Sequence, residues 1–149
     1  MNLKNYTSSI PTHQTISYIE AYLADCGVQG ITKEYADKVP VAIFFHIDLG
    51  QGGRFTIRLP ARVAEVHDFL WRDYCSGVSK PRKVKEDFAE QAARTAWKIQ
   101  QDWVQVQMSL IKLKQVEFLE VFMGFLWDGK QSYYNKLKCG GFKALPETT

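Results

Sequence analysis

Cysteine is scarce in this chain: 149 residues include three, and no two of them stand in the CxxC spacing of a metal site. An odd number of cysteines without a signal peptide indicates a reducing compartment. The longest apolar stretch, residues 121–127, is far too short to cross a bilayer. These features exclude a disulfide-rich secreted domain and a membrane span, and we expect a cytoplasmic protein.

Motifs for catalysis and cofactor binding are absent as well. Neither GxxxxGK[ST] nor GxGxxG occurs, which excludes the common phosphate-binding loops. Among the histidines, His67 has no second ligand at helical spacing, and His46 lies two residues from Asp48 without a nucleophile placed by the sequence. We therefore expect no catalytic residues, no metal and no cofactor.

A magnesium-dependent nuclease is the enzymatic alternative to that expectation. Such an enzyme holds Mg²⁺ with clustered carboxylates. Glu34 and Asp48 are the acids best placed in the predicted sheet, whereas the third strand carries Arg54 and Arg58. The nuclease stays open as a third hypothesis, with a site that the sequence does not reveal.

Hydrophobic periodicity predicts a single α+β domain over residues 1–149, with a sheet-containing part at about 11–76 and a helical part at about 84–138. Composition agrees, since 46% hydrophobic and 23% charged residues are typical of a globular chain. The sheet-containing part is predicted to hold an N-terminal helix (11–26), a three-stranded antiparallel meander (31–35, 41–49 and 54–59) and a second helix (61–75). The meander follows from apolar residues that alternate with other residues on either side of a glycine-rich turn.

A long helix at about 84–115 dominates the predicted helical part, because that stretch contains no glycine or proline. One apolar stripe of this helix comprises Phe88, Ala92, Thr95, Ile99, Val106, Leu110 and Leu113. A second stripe comprises Trp97, Val104, Met108 and Ile111, with Asp102 at its edge. Asp102 either forms an ion pair with Lys98 at i,i+4 on the helix surface or makes a polar contact inside an interface. The second stripe is either buried between layers or forms an interface with a partner, for example in a homodimer. Residues 118–127 are predicted to form a short, well-buried helix, and one more helical piece follows.

Positive charge is in small excess, with a formal net charge of +3. Such a charge permits contact with nucleic acid without requiring it. Arginine and lysine side chains suit contacts with phosphate. We predict that the sheet and the long helix present a set of phosphate-binding cations: Arg54, Arg58, Arg62, Arg82, Lys83, Lys85, Arg94 and Lys98.

Several short runs in this chain resemble a known family. They are Ala96-Trp97-Lys98-Ile99, Asp102-Trp103-Val104, Gln107-Met108, Glu120-Val121-Phe122 and the earlier FTIRLPA at 55–61. Together they are similar to a family of small proteins from phages, prophages and other mobile elements to which no activity is assigned. The resemblance covers most of the chain from the sheet onward and implies no residue roles. It implies a bacterial cytoplasm, a mobile-element context, and work on nucleic acid or on host machinery.

Two non-enzymatic functions follow from these expectations. The first is an accessory protein of a phage or mobile element that binds nucleic acid or a nucleoprotein complex through the eight cations. The second is an anti-defence inhibitor of the anti-CRISPR type, which binds a host effector protein and blocks it. Nucleic-acid binding predicts an affinity that falls steeply with salt, whereas the inhibitor predicts a stable stoichiometric complex with a host protein.

Overall fold

The computed structural model describes residues 3–77 and 82–148, and it confirms the predicted α+β layout. The first half contains α1 (Thr12–Asp25), β1 (Gln29–Ala36), β2 (Val39–Asp48), β3 (Arg54–Pro60) and α2 (Val63–Cys75). The second half contains α3 (Ala89–Lys112), α4 (Phe118–Phe122) and α5 (Tyr133–Cys139). Short 3₁₀ turns at Lys85–Phe88 and Met123–Phe125 lead into α3 and out of α4. Part of the predicted loop at 76–83 lies outside the described residues.

The three strands form an antiparallel sheet in the order β1-β2-β3, as the alternating pattern predicts. Ile43 pairs with Leu59 and Phe45 pairs with Ile57, so these four side chains leave the sheet on the same side, where all are buried. The turn from β2 to β3 ends with Gly53 at φ +92°, a conformation that glycine adopts without steric cost. The sheet therefore has one dry face.

The dry face of the sheet packs into one core with α1 and α3. On α1, the side chains of Ile16, Ile19 and Leu23 are buried in this core. On α3, Trp97 is fully buried, and its Nε1 donates a hydrogen bond to the carbonyl of Pro40 at 2.8 Å. Because that N–H has a partner, burial of the large indole leaves no unsatisfied donor.

The interface alternative for the second stripe of the long helix is wrong for Trp97, Val104 and Met108, whereas Ile111 is only partly buried against the core. Trp97, Val104 and Met108 are buried inside the monomer, where they join the core side chains of α1, the sheet and α4. The first stripe is divided: Ala92 and Thr95 are buried, whereas Val106 and Leu113 are 56% and 67% exposed. Both stripes are therefore buried near the start of α3, and the first stripe reaches solvent towards its end.

Residues 118–127 do not form the single, well-buried helix that their apolar character predicts. The helix α4 ends at Phe122, and Leu126 pairs with Ile57 in an antiparallel β-bridge. In this segment Phe122 alone is buried. The chain is extended here, and the N–H of Trp127 donates to the carbonyl of Thr56 at 2.9 Å. This hydrogen bond gives a backbone group on the outer edge of β3 a partner.

Candidate functional site

The face of the sheet opposite the dry face carries a cation between two aromatic rings. Phe44 and Arg58 are direct cross-strand partners on β2 and β3. The guanidinium of Arg58 lies 5.9 Å from the centre of the Phe44 ring and 5.1 Å from the centre of the Trp127 ring. Both distances are typical of cation–π contacts. Trp127 also packs edge-on against Phe44, with ring centres 6.1 Å apart, so the three side chains form one cluster.

Glu34 of β1 fixes the position of Arg58. The Nη2 of Arg58 donates to Oε2 of Glu34 at 2.8 Å, and its Nε donates to Oε1 at 3.4 Å. This forked geometry is typical of arginine–carboxylate pairs. The hydrogen bonds from Arg58 hold the pKa of Glu34 below its usual range. Arg58 is thus a cation in a fixed place, with part of its donor capacity already used.

A tight turn at residues 128–131, between α4 and α5, directly follows Trp127 and contains a further cation, Lys130. The carboxylate of Asp128 accepts hydrogen bonds from the backbone N–H groups of Gln131 and Lys130, at 2.9 and 2.8 Å. These hydrogen bonds lower the pKa of Asp128. The helix α5 then begins at Tyr133, whose N–H donates to the carbonyl of Leu126 at 2.8 Å. The turn is therefore held by its own hydrogen bonds. The hydrogen bond from Tyr133 connects the start of α5 to Leu126, the residue that pairs with β3.

A cleft of about 700 Å³ lies between the end of β3, the segment after α4 and the helix α5. Its cations are Arg58, Arg62, Lys130 and Lys138, and its aromatic residues are Phe125, Trp127 and Tyr134. Among the described residues that line it there is no aspartate or glutamate. We call this feature the basic cleft.

The positive charges of the basic cleft are not balanced within the part of the chain that the structure describes. There, the side chains of Arg62, Lys130 and Lys138 form no ion pair, and Arg58 alone of the four has a carboxylate partner, Glu34. Like charges that line one concave surface raise the local positive potential. An anion that enters the cleft relieves their mutual repulsion, so the arrangement favours an anionic ligand.

Arg62 connects β3 to α2 in a left-handed backbone conformation, with φ +63° and ψ +40°. This conformation is costly for a residue with a Cβ atom. The backbone is anchored on both sides: the N–H of Ala61 donates to the carbonyl of Val41 at 2.9 Å, and the carbonyl of Arg62 accepts from the N–H of Val66 at 3.1 Å. The exposed side chain of Arg62 therefore extends from a fixed point.

The structure does not bring the eight predicted cations together. Arg58 and Arg62 line the basic cleft. Arg54 lies at the other end of β3, where it is exposed and pairs across the strands with Asp48. The sheet therefore contributes one cation to the cleft, Arg58, and the connection from β3 to α2 contributes another, Arg62.

The cations that precede α3 lie away from the residues of the cleft. Lys85 forms an ion pair with Asp68 of α2. Arg82 and Lys83 are exposed, and the Nζ of Lys83 lies 5.6 Å from the centre of the Phe88 ring. None of these three cations is among the described residues that line the basic cleft.

Arg94 and Lys98 of α3 are used within the chain. The Nη1 of Arg94 lies 2.7 Å from the Glu90 carboxylate, and its Nε donates to the carbonyl of Ser8 at 3.2 Å. The Nζ of Lys98 lies 3.5 Å from the carboxylate of Asp102. These contacts neutralise both charges and help hold the N-terminal segment on α3. The two cations do not extend the basic cleft.

Asp102 forms the ion pair with Lys98 that its spacing on the helix predicts, and it also holds the N-terminal segment. Its carboxylate accepts a hydrogen bond from Asn5 Nδ2 at 2.9 Å and lies 3.2 Å from Lys4 Nζ. Burial alone would raise the pKa of Asp102, but the hydrogen bonds from Asn5 and Lys4 and the charge of Lys98 outweigh it. The pKa of Asp102 therefore lies below its usual range. The site of this aspartate is intramolecular.

The two carboxylates named for a nuclease do not meet. Glu34 binds Arg58, whereas Asp48 stands at the far end of β2 and accepts a backbone N–H in the turn. Between them on the same face, His46 shares a hydrogen bond with Thr56 at 3.0 Å. Within residues 3–77 and 82–148, no group of three histidine, cysteine, aspartate or glutamate side chains is arranged to hold a metal ion.

Five charged or aromatic residues of the basic cleft are not among the residues predicted for a site: Phe125, Trp127, Lys130, Tyr134 and Lys138. A partial signal exists, because lysines are frequent near the C-terminus. These residues lie near Arg58 because residues 126–127 pair with β3. The two paired segments are far apart in the sequence. Local periodicity carries no information about that long-range contact.

No helix in the described ranges is both long enough and apolar enough to cross a membrane. Comparisons of the chain with protein-family models, with curated proteins and with solved structures find no match. The basic cleft itself is therefore the basis for assigning a function.

Proposed function

We propose that this chain is a non-enzymatic accessory protein of a phage or other mobile element that binds nucleic acid, free or in a nucleoprotein complex, in the basic cleft. It acts in the cytoplasm of a bacterial host. One observation carries the binding proposal: four cations line the cleft, and its described lining contains no acidic residue. The bacterial and mobile-element context rests on the resemblance of the sequence.

Phosphodiester groups match the cations of the cleft in charge and in geometry. The guanidinium groups of Arg58 and Arg62 have planar N–H forks that fit two phosphate oxygens, while Lys130 and Lys138 act as compact point charges. Each phosphate that binds releases condensed counterions, so the affinity falls as salt concentration rises. The anti-defence inhibitor stays a second prediction from the sequence.

The test compares two double variants that change the net charge equally. Arg62→Glu/Lys138→Glu reverses two cations of the cleft, and Arg82→Glu/Lys83→Glu reverses two exposed cations outside it. Binding is measured by fluorescence anisotropy with labelled DNA and RNA, single- and double-stranded, at low and at physiological salt. Thermal unfolding confirms that each variant is folded.

We expect the cleft variant to bind at least tenfold more weakly, since a hydrogen bond to a charged group contributes roughly 1.5–3 kcal/mol. The slope of log affinity against log salt should become shallower by about 1.5, because two phosphate contacts are lost. The control variant should lose much less. Equal losses in both variants would contradict a site in the cleft. The absence of binding to any strand at low salt would overturn the proposal and favour a search for protein partners.

A further inference from the structure

We infer that the nucleic acid held in the basic cleft is single-stranded, with bases stacked on aromatic side chains and phosphates on the cations. The inference rests on the proposed function, because it concerns the same cleft. Two features that phosphate contacts alone do not require carry it. One is an open aromatic ring beside the cations, and the other is a second pocket that shares lining residues with the cleft.

Tyr134 supplies the open ring. It is 56% exposed, and its position on α5 is supported by Phe142, whose ring centre lies 5.9 Å away. Lys138 follows one helical turn later, so the ring and the ammonium group lie on the same side of α5. A single strand uses both features, because a base stacks on a flat ring while a neighbouring phosphate pairs with a cation.

A smaller pocket of about 200 Å³ adjoins the basic cleft and shares Trp127, Gln131 and Ser132 with it. Tyr133 and Lys136 also line this pocket, and so does Asp128, the acidic residue of the turn before α5. Each pocket thus combines aromatic rings with at least one lysine. Two such pockets with a common wall suit consecutive nucleotides of one extended strand.

A double helix does not use these features. Its bases are stacked on one another and present their edges in the grooves, so the ring of Tyr134 would have no base face to contact. The major groove admits a protruding helix or β-ribbon, whereas the cations here line a concave surface. An unpaired strand exposes its base faces and its phosphates together.

The experiment measures the affinity of the wild-type protein for three labelled probes that carry the same phosphate backbone charge per strand. They are a mixed-sequence single strand, the same strand in a duplex, and the same strand with abasic sites in place of its bases. DNA and RNA versions distinguish the two sources of a single strand. The abasic probe separates stacking from phosphate contact.

Variants of exposed tyrosines provide the matched protein controls. Tyr134→Leu keeps apolar bulk but removes the ring face, whereas Tyr134→Phe keeps the ring. Tyr35→Leu makes the same change at a 60% exposed tyrosine of β1 outside the cleft. Thermal unfolding shows whether loss of the contact with Phe142 has altered the fold.

We expect Tyr134→Leu to weaken binding about 5- to 150-fold, the range for one stacked base, and the abasic strand, which loses every base, to bind at least that much more weakly. The duplex should bind more weakly than the single strand, Tyr134→Phe should lose much less affinity than Tyr134→Leu, and Tyr35→Leu should bind like wild type. If the duplex and the abasic strand bind as tightly as the intact strand, single-strand recognition is wrong while the cleft proposal stands. If no probe binds at low salt, both are wrong.

Discussion

The two faces of the three-stranded sheet differ in what covers them. On the dry face, Ile43 and Phe45 are sealed in the core that α1, α3 and α4 complete. On the opposite face, Phe44 and Arg58 contact Trp127, and Arg58 and Trp127 line the basic cleft. Successive residues of the same strands point to these two environments. The strands therefore serve two tasks, stability on one face and the positioning of charge on the other.

Cations that support the fold and cations of the basic cleft differ in whether they have an acidic partner. Where a cation supports the fold, as Arg94 and Lys98 do, an acidic partner lies within ion-pair distance. In the basic cleft, Arg58 alone is held in this way, and the described structure shows no ion pair for Arg62. An unbalanced cation in a fixed position adds little to stability and is available to a ligand. Substitutions on the two faces should therefore separate stability from binding.

The largest effect is expected on the dry face, from Trp97→Ala. Removal of a fully buried indole that also donates to the Pro40 carbonyl should lower the free energy of unfolding by about 3–5 kcal/mol. Urea denaturation followed by circular dichroism measures this loss. The more conservative Trp97→Phe, which keeps an aromatic ring but lacks the N–H, should lose less. A loss below about 1 kcal/mol for Trp97→Ala would show that α3 does not depend on this contact.

A smaller effect is expected from Arg58→Met on the cleft face. The substitution keeps a long apolar side chain under Trp127 but leaves Glu34, which is partly exposed, without its partner. The free energy of unfolding should fall by about 1–2 kcal/mol, and the pKa of Glu34 should return towards its usual range. Denaturation at neutral pH and NMR titration of the carboxyl group measure the two effects. An unchanged pKa would contradict the forked pair.

The contact of Asp102 with the N-terminal segment should appear as acid sensitivity. Its pKa is lower in the folded state, so the folded state binds fewer protons than the unfolded chain. The stabilisation is thus complete above the unfolded pKa of about 3.9 and is lost as pH falls through the lower folded value. Asp102→Asn should cost about 1 kcal/mol at neutral pH and flatten the acid limb of the stability curve. An unaltered limb would contradict this.

The smallest effect on stability is expected from Arg62→Gly. Glycine relieves a left-handed conformation at φ +63°, worth about 1–2 kcal/mol, but makes the unfolded chain more flexible at a cost of about 0.5–1 kcal/mol. These terms partly offset, so the melting temperature should stay the same or rise slightly while the affinity for nucleic acid falls. Calorimetry and anisotropy on the same samples test this. A large loss of stability would show that the Arg62 side chain supports the fold.

Much of the fold is predictable from the sequence because its signals are local. Alternation at Ile43, Phe45 and Ile47 predicts β2, and the absence of glycine and proline predicts α3. The side of α3 that is buried was not decided by its pattern, because both sides carry apolar residues. The structure buries Trp97 and exposes Val106, since the sheet, α1 and α4 together form the core on one side.

The site is predictable in part only. Arg58 and Arg62 stand out as cations at the end of β3, and both line the basic cleft. Lys138 and Tyr134 join them because residues 126–127 pair with β3. The sequence predicts a helix over residues 118–127, and a helix there would not form this pairing. Charge pairing removes Arg94 from the predicted set. Its ion pair with Glu90 lies within α3 at i,i+4 and is a local signal, whereas its hydrogen bond to the carbonyl of Ser8 depends on a tertiary contact.

Photochemical cross-linking tests the central claim most directly. A single strand that carries photoreactive bases is bound to the wild-type protein, irradiated, digested and mapped by mass spectrometry. If the basic cleft binds the strand, cross-links should concentrate in peptides that contain Trp127, Tyr134 or Lys138, and excess unlabelled strand should abolish them. Cross-links concentrated at Arg82 and Lys83 or spread evenly over the surface would contradict the cleft as the binding site.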